Sequence, residues 1–262
     1  MISGFLLINK DSGITSSRVV QIIKKKFNFK KVGHLGTLDP MAKGLLILAI
    51  NRATKFSSLL LQSNKSYYAE VTLGQQTDTD DAEGAITAIQ KVTCKDQEVK
   101  TKLLAFLGES QQFAPAYSAL KHKGKPMYKY ARDGIRVDKE ARTITINQID
   151  HITIDLPKVS FDIACSKGTY IRSIARDLGN QLKCGGHLSD LIRTSQEKFS
   201  INDLVIIGDT PSDARAATDS GARSIIVCRR PGWENEIRAA GADIIISSLE
   251  DTKYLLKIIS EF

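Results

Sequence analysis

The hydrophobic pattern changes character once along this 262-residue chain, near residue 203. Before that point, apolar stretches mostly alternate with polar residues at a period of two. Val159, Phe161, Ile163 and Cys165 make such a strand, as do residues 67–73. Ile144 and Ile146, then Ile152, Ile154 and Leu156, suggest two more. Alternation of this kind marks strands with one solvated face, as in antiparallel sheets. Helical spacing intervenes: Val19, Val20, Ile23 and Phe27 share one face, and Ile171, Ile174, Leu178 and Leu182 share another. After residue 203 the strands are apolar throughout. Residues 204–208, 224–228 and 242–247 alternate with helical stretches at 211–220, 233–240 and 250–259. That is the texture of parallel βα units. Two domains are therefore expected. Residues 1–203 form an α+β domain with a mixed, mainly antiparallel sheet flanked by helices. Residues 204–262 form a small three-unit βα segment that buries little apolar surface alone.

Charge follows the same division. Residues 1–203 carry 30 basic and 20 acidic side chains, and residues 204–262 carry seven and nine. The net charge of +8 thus originates wholly in the first domain. A basic excess of this size makes nucleic acid the first partner to consider. A solvated lysine-rich face explains the charge equally well. Lys24, Lys25, Lys26, Lys30 and Lys31 crowd one surface and either track phosphates or stay hydrated. The four cysteines lack CxxC spacing, and no histidine stands at zinc-finger distance, so neither a disulfide framework nor a structural zinc site is expected. No apolar run approaches the ~18 residues of a membrane helix, and no signal peptide is visible. A cytoplasmic monomer without membrane contact is expected.

The segment Gly33-His34-Leu35-Gly36-Thr37-Leu38-Asp39-Pro40 is the most informative loop. Its glycines allow close approach of backbone to a ligand, and Pro40 stiffens the chain beside Asp39. Such a loop can hold a carboxylate forward in a cleft as nucleophile or general base. It can equally be an Asx-Pro turn whose side chain caps its own backbone.

The longer string from Gly33 to Leu46, GHLGTLDPMAKGLL, resembles the catalytic signature of the TruB family of tRNA pseudouridine synthases. The resemblance continues through Lys65-Ser66-Tyr67-Tyr68 and Leu73-Gly74-Gln75-Gln76-Thr77-Asp78-Thr79-Asp80. It runs on through Pro115-Ala116-Tyr117-Ser118-Ala119-Leu120-Lys121 and Gly124-Lys125-Pro126-Met127-Tyr128, and ends with Cys165-Ser166-Lys167-Gly168-Thr169-Tyr170-Ile171-Arg172. Six blocks in family order, spanning roughly residues 3–203, are specific where one would be weak.

That resemblance implies an RNA isomerase that converts uridine to pseudouridine in the tRNA T-loop, at position 55, on a flipped-out base. Nothing is oxidised and no group is lost, so no cofactor is expected. By resemblance Asp39 is the nucleophile, Tyr67 stacks on the target base, Tyr170 is a second active-site aromatic, and Arg172 pairs with Asp39. Arg172 would favour the ionised carboxylate. His34 resembles the histidine that helps to hold the RNA loop open, and Lys121 falls within an RNA-facing block. On residue type alone Tyr67 is also a strand tyrosine packed against the core. Whether Asp39 attacks the base or the sugar, or removes a proton, stays open.

Residues 204–262 depart from the family, whose enzymes continue into a further RNA-binding segment not visible here. Instead, Val205-Ile206-Ile207-Gly208-Asp209-Thr210-Pro211-Ser212-Asp213-Ala214 resembles the last acidic motif of haloacid-dehalogenase-type hydrolases. Asp209 and Asp213 would there hold magnesium. Thr210 as N-cap, Pro211 and Asp213 also make a good helix start without any metal. The DxDxT nucleophile motif of those hydrolases is missing, so no metal is expected. A non-catalytic tRNA-binding or folding module, and a magnesium-dependent phosphatase, are the alternatives to the isomerase.

Overall fold

The structure is a computed structural model that describes residues 3–118, 120–122, 124–135, 137, 140–201, 205–220, 223–228, 230 and 232–248. At Leu59, Lys121, His122, residues 205–207 and Ser220 it describes the backbone alone. In chain order the first part runs β1 (Gly4–Lys10), α1 (Ser16–Lys26), β2 (Val32–His34), β3 (Lys43–Ile50), a 3-10 turn, α2 (Ser57–Leu61), β4 (Lys65–Leu73), β5 (Gln75–Thr77) and β6 (Ile86–Ile89). It continues with α3 (Asp96–Leu104), β7 (Gly108–Gln112), β8 (Lys121–His122), β9 (Lys125–Pro126), α4 (Met127–Arg132), β10 (Arg142–Asp155), β11 (Lys158–Cys165), α5 (Ile171–Gln181), β12 (Gly186–Gln196) and β13 (Phe199–Ser200). The second part holds β14 (Val205–Gly208), α6 (Pro211–Ser220), β15 (Arg223–Val227), α7 (Trp233–Ala239) and β16 (Ile244–Ile246).

The main sheet has the order β1-β3-β12-β4-β11-β10-β7, with β2 beside β3 and β13 beside β12. Every pairing is antiparallel except β3 with β12. The α+β expectation with a mainly antiparallel sheet therefore holds. β3 explains its own unbroken apolar sequence. Leu46, Leu48 and Ile50 join the large core on one face, while Leu45, Ile47 and Ala49 join a smaller cluster on the other. A strand covered on both faces needs no polar alternation. β4 shows the opposite pattern, with Tyr67, Ala69, Val71 and Leu73 buried and the residues between them partly exposed. α3 and α5 cover the large core through Val99, Leu103, Ile171, Ile174 and Leu178.

One local expectation changes. Residues 144–146 and 152–155 lie on one strand, β10, which runs 14 residues with irregularities between Ile146 and Gln148 and between Asp150 and Thr153, while Leu156 falls in the turn after it. A bulge resets the alternation and so mimics a strand break in the sequence. The polar stretch after Leu73 opens a hairpin of β5 and β6, and it buries Asp81. In the second part β14, β15 and β16 are parallel, as the apolar βα texture implied. Ala214, Ile226 and Ile237 form the buried cluster beneath α6 and α7. The expected helix at 250–259 and the boundary at residues 203–204 lie outside the described residues.

Candidate active site

Asp39 sits on the loop between β2 and β3, and side chains from far along the chain fasten that loop almost residue by residue. Gln196 Nε2 donates to the Leu35 carbonyl at 2.7 Å, and Arg193 Nη2 to the Gly36 carbonyl at 3.1 Å. Ser16 Oγ accepts from Leu38 N at 2.9 Å and donates to the Leu38 carbonyl at 3.0 Å. Lys10 Nζ donates to the carbonyls of Asp11, Ile14 and Pro40 at 2.8, 2.7 and 3.1 Å. With Leu38 and Pro40 both held, Asp39 between them has little freedom. This is the preorganisation that a positioned nucleophile requires.

Arg172, in the first turn of α5, is the hub of the site and only 4% exposed. Its Nε lies 2.9 Å from Asp39 Oδ2, and its Nη1 lies 3.3 Å from Asp81 Oδ2. Nη1 also donates to the Thr79 carbonyl at 3.0 Å, and Nη2 to the Tyr117 carbonyl at 2.9 Å. The Nε–H points off the line to Asp39, so this contact is an ion pair rather than an aligned hydrogen bond. Asp81 in turn accepts from Thr79 Oγ1 at 2.6 Å and Glu83 N at 3.1 Å. One turn along α5, Arg176 pairs with Asp80 at 3.0 Å and ties the same acidic loop to the helix.

Asp39, Tyr67, Tyr170 and Arg172 line one cavity of about 240 Å³. That is below the ~300–1,000 Å³ of clefts for drug-sized ligands, and suits a single flat ring. A second cavity of about 660 Å³ shares Thr37, Leu38, Asp39 and Arg172 with the first, and adds His34, Tyr117, Tyr128 and Arg132. Asp39 therefore stands where a small chamber opens into a larger groove. About a third of its side-chain surface is exposed there, and the rest is enclosed by protein. Burial raises its pKa above the ordinary carboxylate value. Arg172 opposes that rise, Asp81 adds to it, and Lys10 opposes it. Arg172 thus favours the ionised form, as the sequence reading expects, without outweighing burial. Tyr67 is buried, and desolvation pushes its hydroxyl up to about 12, against the pull of Arg193 beside it. Tyr170 is held by its backbone, donating from N to Gln112 Oε1 at 2.8 Å and accepting from Gln112 Nε2 at 3.1 Å. Burial raises its pKa as well. Both phenols are protonated at neutral pH.

The remaining candidates fall elsewhere. His34 lines the larger groove, its Nδ1 buried without a hydrogen-bond partner, and burial followed by Arg193 lowers its pKa. Lys24, Lys25, Lys30 and Lys31 are exposed on or just after α1 and line neither cavity. The Lys121 side chain lies outside the described residues. Asp213 Oδ2 accepts from Asp209 N, Thr210 N and Thr210 Oγ1 at 3.1, 3.0 and 2.7 Å. It caps α6, and these bonds lower its pKa. Among the described residues no group of three His, Cys, Asp or Glu is placed to hold a metal. None of the described helices is long and apolar enough to cross a membrane.

Lys10, Ser16, Asp81, Arg193 and Gln196 were not expected from the sequence. Arg193 alone left a signal, a charge on an otherwise inward-facing strand position.

Residues 24–171 match the TruB family pseudouridylate synthase N-terminal domain. The chain is 47% identical over 205 residues to a tRNA pseudouridine synthase B of Alkaliphilus oremlandii, covering 78% of this chain and 69% of that one. Among solved structures it resembles a chain of an H/ACA RNP bound to a substrate RNA containing 2′-deoxyuridine, at TM-score 0.56 and 28% identity, covering 75% of this chain and 48% of that one. It also resembles a chain of a Cbf5-Nop10-Gar1 complex, at TM-score 0.58 and 27% identity, covering 90% of this chain and 59% of that one. The chain spans about half the length of these solved chains.

Proposed function

Since this chain belongs to the TruB family of pseudouridylate synthases, we propose that it converts uridine to pseudouridine in tRNA, with Asp39 as the nucleophile. The observation that carries this reading is the Asp39–Arg172 ion pair in a one-ring cavity walled by Tyr67 and Tyr170. The reaction breaks the N1–C1′ bond, forms a C5–C1′ bond and moves one proton from C5 to N1. The product is an isomer, and the step needs a nucleophile, a closed chamber and flat walls rather than a cofactor. Asp39 meets the first need through its clamped loop. Arg172 orients it and keeps enough negative charge on it despite burial. Tyr67 and Tyr170 supply faces for a detached ring.

The target uridine is that of the T-loop, at tRNA position 55. The larger groove, with His34, Tyr128 and Arg132, receives the loop from which the base is everted. The exposed lysines of α1 and Lys121 add sequence-independent contacts to phosphates. The protein works as a cytoplasmic monomer. The segment 204–262 is a second domain that resembles the C-terminal part of a haloacid-dehalogenase-type fold, and its described βα units fit that reading. The hydrogen bonds of Asp213 to the start of α6 favour capping over magnesium there.

The test is purified protein with unmodified tRNA, followed by mapping of the modified nucleotide. Wild type is expected to modify a single T-loop uridine. Asp39→Asn is expected to form no product while binding tRNA within about threefold of wild type. Equal turnover in that variant would remove the catalytic assignment. Binding without any modification by wild type would favour a non-catalytic tRNA module.

A further inference from the structure

One wall of the small cavity carries positive charge that the mechanism above does not use. Lys65, at the start of β4, and Arg193, on β12, both line it. A Cβ placed on Gly36 would lie 3.1 Å from Arg193 Nη1 and 3.4 Å from Lys65 Cε, so the two side chains flank one spot beside the Asp39 loop. Arg193 is 1% exposed. Its Nε donates to the Leu45 carbonyl at 2.7 Å and its Nη2 to Gly36, while Nη1 is buried without a hydrogen-bond partner. Lys65 Nζ donates to the Ser63 carbonyl at 2.7 Å. Among the described residues, neither cation has a carboxylate within ion-pair distance. Two neighbouring cations, Arg193 buried and Lys65 partly so, with no anion beside them are unfavourable, and each makes the other worse. In the same cavity, Asp39 and Arg172 compensate one another.

The reaction gives this wall a partner. When N1–C1′ breaks, its electron pair leaves with the base, and uracil becomes a ring anion with charge shared over N1, O2 and O4. Turning the ring about its N3–C6 axis exchanges N1 with C5 and O2 with O4. A fixed cation therefore meets an exocyclic oxygen both before and after the turn. C5 then bonds to C1′, the C5 hydrogen leaves as a proton, and N1 takes one up. Electrons and atoms balance without any co-reactant.

We propose that Lys65, backed by Arg193, is the electrostatic group that holds the negative charge of the detached uracil. The proposal rests on the reading of this chain as a pseudouridine synthase. Its consequence is a pH dependence on the alkaline side. Burial, and then Arg193, lower the Lys65 pKa to about 8, while Cys165 of β11 and Glu197 just beyond β12 pull it upward. Tyr67 lies two residues along the same strand, and Asp39 and Arg172 line the same cavity. Only protonated Lys65 can hold an anion, so the chemical step slows as pH rises past about 8. An arginine at this position stays charged throughout.

The experiment is the single-turnover rate of pseudouridine formation on unmodified tRNA at saturating enzyme, followed across neutral and alkaline pH. Wild type is expected to lose rate about tenfold per pH unit on the alkaline limb, as for one required proton. Lys65→Arg is expected to lack that limb. Lys65→Met is expected to be about 100-fold slower at neutral pH, the size of one lost electrostatic contact to a transition state, with tRNA affinity nearly unchanged. A wild-type limb retained in Lys65→Arg, or a wild-type rate in Lys65→Met, overturns the proposal and leaves the enzyme assignment standing. A folded Lys65→Arg that is inactive at every pH overturns it as well. A wild type that makes no pseudouridine overturns both. Should Lys65→Met fail to fold, the Lys65→Arg profile still decides.

Discussion

Asp39 holds its charge against its surroundings, and that has a thermodynamic sign. Burial raises its pKa in the folded protein above the ordinary value of 3.8. Between those two values the folded chain keeps a proton that the unfolded chain has released. Stability therefore falls as pH rises through this window, and above it the ionised carboxylate is a standing cost. With Asp39 as the proposed nucleophile, activity runs the other way, because a nucleophile must be ionised, so turnover is expected to fall as pH drops through the raised pKa. Asp39→Asn removes the cost along with the chemistry. Its melting temperature at neutral pH is expected to equal wild type or exceed it by a few degrees, with the difference vanishing in acid. A melt several degrees lower would mean that Arg172 depends on Asp39 more than its bonds to Asp81, Thr79 and Tyr117 imply. Of these residues, the sequence points to Asp39, Tyr67, Tyr170 and Arg172 because each lies in a recognisable local string. Lys10, Ser16 and Gln196 act on backbone carbonyls or amides of distant segments, and a hydrogen bond to main chain leaves no mark on the partner's sequence.

At the scale of elements, α5 couples stability to the site. Arg172 is in its first turn, and near its far end Gly179 lies against the start of β12. A Cβ on Gly179 would come within 2.2 Å of Gly185 C and Gly186 N. Gly179→Ala must push the helix off the sheet, at about 1–3 kcal/mol. It is expected to lower the unfolding free energy by that amount, read as a lower denaturant midpoint, and to reduce kcat, since the shift moves the guanidinium beside Asp39. An unchanged kcat in a destabilised Gly179→Ala would show that the first turn is anchored independently. The same scale shows what sequence periodicity can and cannot carry. β4 and β11 are legible because each has one buried face. β10 reads as two strands because its irregularities break the alternation, and β7, GESQQ, has too few apolar residues to announce itself.

For the molecule as a whole, the basic excess lies in the part that holds both cavities. Affinity for tRNA is expected to fall roughly tenfold or more between about 50 and about 200 mM salt, as phosphate contacts release counterions. Filter binding across that range checks it, and a flat response would mean that the lysines of α1 are only solvated. The long reach of the loop clamp has a different consequence. Asp39 is steadied by groups more than twenty positions before it and by others about 150 positions after it. Contacts so distant along a chain close late, after nearer ones have formed. In a newly made polypeptide the Asp39 loop therefore has only Lys10 and Ser16, of its clamping side chains, to hold it until β12 is in place. On the proposed chemistry, half-built copies spare RNA, and the power to cut a glycosidic bond arrives only with the finished sheet.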